Sequence, residues 1–180
     1  MSDQPPIELP VEAPDEEPTD RGRSLLTLAV ALGLPLAVGA AGGAVTAKSV
    51  RTWYPTLRKP PFNPPSWVFA PVWTTLYLLM GVALHLVVRG AEAGPGRRRA
   101  VGWWSAQLVL NFLWSLIFFG RRAIGPAFGE ILVLWLSIAA TIRAFAVQRP
   151  AAAGLLVPYL GWTSFAALLN GSLWVLNRQR

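Results

Sequence analysis

The segment Trp53–Gly81 reads WYPTLRKPPFNPPSWVFAPVWTTLYLLMG, and it decides the fold. Its first half carries two Pro-Pro pairs, which prevent a continuous helix and favour a stiff, extended loop. Its second half is a long apolar run without an Asp, Glu, Lys or Arg. Trp73, Tyr77 and Gly81 follow one another at intervals of four residues, which places them on one face of a helix. A stiff loop therefore leads directly into an apolar helix with an aromatic face.

The rest of the chain is equally apolar. Hydrophobic residues make up 53% of it, and the mean hydropathy is +0.43, which is too apolar for an ordinary soluble domain. About 20 mostly apolar residues suffice for a helix to cross the ~30 Å hydrocarbon layer. The sequence therefore predicts an all-α membrane protein, a bundle of five transmembrane helices. The predicted spans are 24–47, 67–88, 101–120, 123–147 and 151–176.

Other classes of protein fit less well. A soluble helical domain would show a charged stripe opposite each apolar one, and these blocks have none. A membrane barrel would show strand alternation, which is also missing from the sequence. The chain has no cysteine, so disulfides and thiolate metal sites are excluded. We expect neither a metal site nor a covalently attached cofactor.

The net charge of +7 is distributed unevenly. Residues 1–23 hold seven of the nine acidic residues and several prolines, so we expect a disordered, acidic tail. The cations occupy short loops between the spans, which favours anchoring to lipid headgroups over binding to nucleic acid. Arginine greatly outnumbers lysine, which is typical of a GC-rich bacterium, and we expect an integral multi-pass protein of a bacterial cell envelope.

Polar and aromatic residues recur at helical spacing in three of the spans. Asparagine and glutamine need partners inside hydrocarbon, so these faces are predicted to point inward. Such a face suits a flat apolar ligand with polar edges, such as a porphyrin or a sterol, although spacing alone is equally compatible with helix packing and interfacial aromatic belts. The three stripes are Trp73, Tyr77, Gly81 and His85; Gln107, Asn111, Trp114, Ser115 and Phe118; and Trp162, Ala166, Asn170 and Trp174.

Several residues are expected in other roles. The tryptophans near span ends are expected in the interfacial belt, namely Trp53, Trp67, Trp103, Trp104 and Trp174. Pro35 is predicted to kink the first helix. His85 is expected to be an interfacial polar residue. Glu130 is a lone acid within the fourth span, and we expect it to act as an anchor near the headgroups or near Arg121 and Arg122.

Four motifs together resemble the TspO/MBR family, which includes the mitochondrial translocator protein. They are WYPTLRKP at 53–60, PVWTTLYLLMG at 71–81, LNFLW at 110–114 and PYLGWTSFAALLN at 158–170. The resemblance implies a five-helix membrane protein, often a homodimer, that binds porphyrins and, in animals, cholesterol and benzodiazepine-type drugs. Carried over by motif, the ligand site would use Tyr54, Pro64, Trp73, Tyr77, Asn111, Trp114, Phe118, Trp162 and Ala166.

Two departures from the family pattern bear on the ligand. Phe62 stands where many relatives have tryptophan, and the end of the chain, WVLNRQR, lacks the tyrosine of the animal cholesterol motif. Both argue against high-affinity sterol recognition. We therefore expect a membrane protein that binds porphyrins or other tetrapyrroles as sensor, carrier or regulator.

The alternative is an enzyme that degrades porphyrin by light or an oxidant, with Trp73 and Trp162 as the candidate catalytic residues. The sequence offers no conventional nucleophile or acid–base pair. In either case Arg58 and Lys59 are expected to capture the carboxylates of a porphyrin at the mouth of the site.

Overall fold

The computed structural model describes residues 20–179, and in that part of the chain five long helices form one bundle without a strand. All five are long and apolar enough to cross a membrane, as predicted. The helices are α1 (Asp20–Thr52), α2 (Ser66–Gly90), α3 (Pro95–Ser115), α4 (Ile124–Gln148) and α5 (Pro150–Asn177). The expected disordered tail, residues 1–23, lies outside the described residues except for residues 20–23, which belong to the first turn of α1.

Charged residues extend two helices beyond their apolar spans. α1 continues five residues past its predicted end and includes Lys48 and Arg51. α3 begins at Pro95, six residues before the predicted start of the third span at residue 101. Proline is favoured in the first turn because its φ is already helical and its missing N–H needs no partner there.

A π-helical turn ends the third span. Residues Leu116–Gly120 continue α3 with a wider winding, and the Arg121 backbone N–H donates to the Leu116 carbonyl at 2.8 Å. Arg122 adopts a left-handed conformation with φ of 56°. The chain thereby reverses within three residues and enters α4, while Phe118 is left fully buried.

Trp104 is part of the core. It was expected in the interfacial belt, but only 1% of its surface is exposed. Its indole Nε1–H donates to the carbonyl of Met80 at 3.1 Å, so the polar atom of the ring is satisfied inside the bundle. The belt prediction for Trp104 is therefore wrong, whereas Trp67, Trp103 and Trp174 are exposed.

Close approach of α1 and α2 depends on Gly81. A Cβ atom at this position would lie 2.6 Å from the carbonyl oxygen of Ala31 and 2.8 Å from Cα of Leu32. Both contacts are to backbone atoms, which cannot rotate out of the way. Only glycine fits this crossing, and α1 is thereby held against the helix that carries Trp73 and Tyr77.

Candidate functional site

A cavity of about 760 Å³ lies inside the half of the bundle that carries the loop between α1 and α2. This loop, residues 53–65, is called loop 1. The walls come from α1, α2, α5, the end of α3 with its π-helical turn, and Tyr54 of loop 1. Sequence-predicted site residues that line the cavity are Tyr54, Trp73, Tyr77, Trp114, Phe118, Trp162 and Ala166.

Two predicted site residues do not line this cavity. Pro64 lies in loop 1, where its carbonyl accepts a hydrogen bond from the Asn63 side chain at 3.0 Å. Asn111 is buried behind the wall, and its Oδ1 accepts a hydrogen bond from the Tyr77 hydroxyl at 2.9 Å. Asn111 therefore positions a cavity residue and does not face the cavity itself.

Stacked aromatic rings form much of the cavity wall. Trp73 stacks on Tyr77 with ring centroids 5.5 Å apart, and Trp114 stacks on Phe118 at 5.2 Å. Trp162 meets Phe69 edge-on at 6.0 Å. Because each ring is held by a second ring, the wall presents large apolar faces of fixed orientation.

Buried amides hold two of these rings in place. Trp114 Nε1–H donates to Asn170 Oδ1 at 3.1 Å, and Asn170 Nδ2 donates to the carbonyl of Ile124 at the start of α4 at 2.9 Å. Asn170 thus orients the indole of Trp114 and links α5 to the first residue of α4. The predicted inward orientation of Asn111 and Asn170 is confirmed, with both side chains buried.

Sequence reasoning missed the contribution of α1. Its lining residues are mostly small or aliphatic: Leu36, Gly39, Ala40, Gly42, Gly43, Thr46, Ala47 and Val50. At Gly39 a Cβ atom would collide with the ring of Tyr77, so glycine leaves room for that ring. Gly39 and Gly43 have the spacing of a helix-packing motif, a signal that does not distinguish a packed helix from a cavity wall.

Loop 1 is fastened to the end of α5. Asn177 Oδ1 accepts the backbone N–H of Arg58 at 3.0 Å, and its Nδ2 donates to the Arg58 carbonyl at 3.0 Å. Within the loop, the Tyr54 hydroxyl donates to Asn63 Oδ1 at 2.7 Å. Burial raises the pKa of the Tyr54 phenol, so it remains a hydrogen-bond donor at neutral pH.

The two expected capture cations are in different environments. Arg58 is exposed. Lys59 Nζ donates to the carbonyls of Pro55 at 3.1 Å and Leu57 at 3.4 Å and lies 5.0 Å from the centre of the Tyr54 ring. Lys59 is thus engaged within loop 1. Arg51, which the sequence did not single out, lines the cavity and is exposed.

The remaining singled-out residues lie elsewhere. Trp53, expected in the belt, is half-buried and packs edge-on against Phe118 at 5.7 Å. His85 is half-buried in α2, with a buried Nδ1 that has no hydrogen-bond partner among residues 20–179. Both carboxylate oxygens of Glu130 are likewise buried and lack a partner there. The expected contact of Glu130 with Arg121 or Arg122 is therefore wrong.

Comparison with known proteins gives one consistent result. Residues 31–175 match the model of the TspO/MBR family. Tryptophan-rich protein TspO of Chlorobaculum tepidum is 44% identical over 156 residues, which cover 86% of this chain and 98% of that protein. The protein of the same name from Archaeoglobus fulgidus is 39% identical over 86% of this chain and 99% of its own. Translocator protein of Ovis aries is 44% identical over 71% of this chain and 76% of its own.

Proposed function

The chain belongs to the TspO/MBR family of integral, multi-pass membrane proteins, and from this premise we propose that it binds a porphyrin or similar tetrapyrrole in the cavity beneath loop 1. The single observation that carries the proposal is the cavity itself, about 760 Å³ in volume with walls of stacked aromatic rings. That volume lies within the ~300–1,000 Å³ typical of small-molecule sites.

The chemistry of the cavity favours a flat conjugated ligand. The indoles of Trp73, Trp114 and Trp162 offer faces on which a conjugated ring system can stack. Most of the lining residues are apolar, and the polar ones include Thr46, Ser115 and Asn170. A ligand with a large apolar plane and a small number of polar substituents therefore matches the site.

Trp73 and Trp162 serve binding in this proposal. Both rings are packed against other aromatic rings, and neither is placed beside an acid, a base or a nucleophile by a contact among residues 20–179. Two relatives bear the names tryptophan-rich sensory protein and translocator protein. A cavity bordered by a loop that is fastened to α5 is compatible with sensing or with carriage of a bound ligand.

A fluorescence titration tests the proposal. Purified full-length protein in lipid nanodiscs is titrated with protoporphyrin IX while tryptophan emission is recorded. We expect saturable quenching with one ligand per chain, because three of the nine tryptophans line the cavity. The control is a set of nanodiscs that hold a tryptophan-bearing peptide in place of the protein. Quenching of the protein that rises linearly without saturation, as in this control, would contradict the proposal.

Two exposed cations, Arg51 in the cavity lining and Arg58 in loop 1, predict a salt-dependent association rate. Arg51→Ala combined with Arg58→Ala is expected to slow protoporphyrin association severalfold while changing the dissociation rate little, because exposed charges act mainly on capture. The effect is expected to shrink in 1 M salt, where the screening length is about 3 Å. Stopped-flow quenching measures both rates.

The matched control for that pair is Arg143→Ala, which removes an exposed cation from the far half of α4. It should leave association unchanged. If the double variant instead changes only the dissociation rate, and salt has no effect, the two arginines anchor the protein to lipid and do not capture the ligand.

A homodimer is part of the proposal, with the exposed face of α1 as its interface. Gly33, Ala37, Ala41 and Ala44 are exposed at helical spacing, and a Cβ atom at Gly33 would meet no atom within 4 Å. Small residues let two membrane helices approach closely. Gly33→Cys protein reconstituted in nanodiscs should form a covalently cross-linked dimer. Gly154→Cys is the control, and cross-links that form only in the control would place the interface elsewhere.

A further inference from the structure

A groove of about 500 Å³ lies on the outside of the bundle between α2 and α5. It is lined by α2 between residues 71 and 79 and by α5 between residues 158 and 165. Pro71, Thr75, Pro158 and Gly161 are exposed in it, whereas Leu76 is buried. The groove is therefore a feature of the outer surface, distinct from the cavity beneath loop 1 except at one residue that lines both.

Trp162 is the residue that the groove and the cavity share. Its ring meets Phe69 of the cavity edge-on at 6.0 Å and lies 5.4 Å from the ring of Phe165 in the groove. No hydrogen bond holds its indole among residues 20–179, whereas the indole of Trp114 is held by Asn170. The orientation of Trp162 therefore depends on what packs against its two sides.

The groove lies at the depth of the hydrocarbon layer. Its α2 residues come five to thirteen positions after the start of the helix at Ser66, which is about 8 to 20 Å along the helix axis. α5 runs in the opposite direction and ends beside loop 1. Phe165 is therefore at the loop 1 end of the groove, where its ring meets Phe62 of loop 1 at 6.4 Å. The groove thus runs from loop 1 toward the middle of the two spans.

The chemistry of the groove suits hydrocarbon. The described residues that line it include no charged side chain and no amide. Its one hydroxyl, on Thr75, donates to the carbonyl of Pro71 within α2 at 2.9 Å. A polar molecule would lose its hydrogen bonds in such a groove, whereas an acyl chain needs none and is held by dispersion contacts with the walls.

We infer that the groove between α2 and α5 binds one acyl chain of a membrane lipid, and that Trp162 couples this site to the cavity. Both helices are long and apolar enough to cross a membrane, so lipid is the medium that meets their outer surface. The headgroup end of the chain lies beside loop 1, and the chain packs against the outer side of the Trp162 indole.

The coupling has a defined sign, and it rests on the proposed function. An acyl chain against the outer side of Trp162 fixes the indole on which a ligand in the cavity would stack, so less freedom is lost when the ligand binds. Chain occupancy is therefore expected to tighten ligand binding, and by reciprocity the ligand is expected to tighten binding of the chain. The acyl-chain site itself does not depend on the proposed function.

Brominated lipid tests the acyl-chain site without any ligand. The natural chain and Trp162→Phe are placed in nanodiscs of phosphatidylcholine with ordinary acyl chains or with chains brominated near their middle, because bromine quenches an indole that it contacts. The emission of Trp162 is the difference between the two proteins. We expect this difference in ordinary lipid and its loss in brominated lipid. An equal difference in both lipids would overturn the inference.

Filling the groove provides the matched control. Gly161 lines the groove, and a Cβ atom there would meet no atom within 4 Å, so Gly161→Leu can occupy the groove without displacing α5. Gly154→Leu adds the same side chain at an exposed, open position of α5 outside the groove. Each variant is compared with its own Trp162→Phe counterpart. In brominated lipid the emission of Trp162 should return in Gly161→Leu and stay quenched in Gly154→Leu. Equal quenching in both would show that bromine reaches Trp162 by another route and would overturn the inference.

Nanodiscs that hold one or two copies of the chain identify the occupant. An acyl chain should quench Trp162 in both preparations. Quenching that is seen only with a single copy per nanodisc would assign the groove to a second copy of this chain and would contradict the acyl-chain site.

Ligand affinity tests the coupling. Protoporphyrin dissociation constants are measured in nanodiscs of linear-chain phosphatidylcholine and of phytanoyl-chain phosphatidylcholine, whose methyl branches widen the acyl chain. For the natural chain and for Gly154→Leu we expect affinity to fall about fivefold in the branched lipid, the lower end of the usual coupling between sites. Gly161→Leu should bind equally well in both lipids, because its groove is already filled.

The outcomes separate the coupling from the proposed function. Equal affinity of the natural chain in the two lipids, with saturable quenching intact, would contradict the coupling but leave the proposed function standing. Absence of saturable quenching in either lipid would contradict the proposed function and the coupling together, and would leave the result of the brominated-lipid test unaffected.

Discussion

Replacing both Trp73 and Trp162 by leucine is expected to weaken protoporphyrin IX binding by more than tenfold, which corresponds to about 1.4 kcal/mol. The two indoles come from α2 and α5 and line the same cavity, so the double variant removes stacking faces contributed by two helices. Leucine keeps the wall apolar but offers no conjugated plane. Equilibrium titration in nanodiscs, followed by the change in porphyrin absorbance, measures the affinity.

The control for this pair is Trp103→Leu, which removes an exposed indole of α3 that does not line the cavity. Its affinity should remain within twofold of the natural chain. A double variant that is folded and binds with unchanged affinity would exclude Trp73 and Trp162 from the site.

Gly81→Val is expected to destabilise the bundle by about 3 kcal/mol, the upper end of the cost of overpacking a tight core. The added side chain would meet backbone atoms of Ala31 and Leu32, so α1 must move away from α2. Because α1 also forms a wall of the cavity, ligand binding should be lost together with stability. Unfolding in mixed micelles with increasing SDS measures the change.

Gly102→Val separates this clash from the intrinsic cost of valine in a helix. Gly102 lies within α3, and a Cβ atom there would meet no atom within 4 Å. This variant should change the free energy of unfolding by well under 1 kcal/mol, because glycine and valine differ little in helix propensity. Equal destabilisation of the two variants would show that the α1–α2 crossing does not depend on Gly81.

The fold was predictable because a membrane imposes a simple requirement on sequence. Each span must be apolar over the thickness of the hydrocarbon layer, and five such blocks are visible. Helix ends were less predictable, since Lys48 and Arg51 extend α1 and long cationic side chains can reach the headgroups from inside a helix. The π-helical turn at Leu116–Gly120 has no signal in the apolar pattern.

The aromatic residues of the candidate site were predictable from the sequence. The residues whose position depends on how the helices pack against one another were not. Trp73, Trp114 and Trp162 were identified from helical spacing and motif resemblance, and the structure brings them to one cavity. The wall supplied by α1 was missed because glycine and alanine carry no chemical signature. Asn111 was assigned to the wall, yet it lies behind Tyr77, a distinction that depends on how two helices are rotated against each other.

The polar interactions of loop 1 and α4 could not be derived from the sequence. The side chain of Asn177 hydrogen-bonds the backbone of Arg58, which is 119 residues away in the sequence. No local sequence pattern predicts such a pair. Glu130 was expected to act as an anchor near the headgroups or near Arg121 and Arg122. In the structure both carboxylate oxygens of Glu130 are instead buried, without a hydrogen-bond partner among residues 20–179.

The ligand is proposed to occupy the cavity beneath loop 1, and a variant that fills this cavity tests the proposal. Gly43 lines the cavity, and a Cβ atom there would meet no atom within 4 Å, so Gly43→Trp can place an indole in the cavity without displacing the helix. Gly154→Trp adds the same side chain to an exposed position of α5. We expect saturable protoporphyrin quenching to be lost in Gly43→Trp and kept in Gly154→Trp. Equal affinity in the two folded variants would contradict the proposed site.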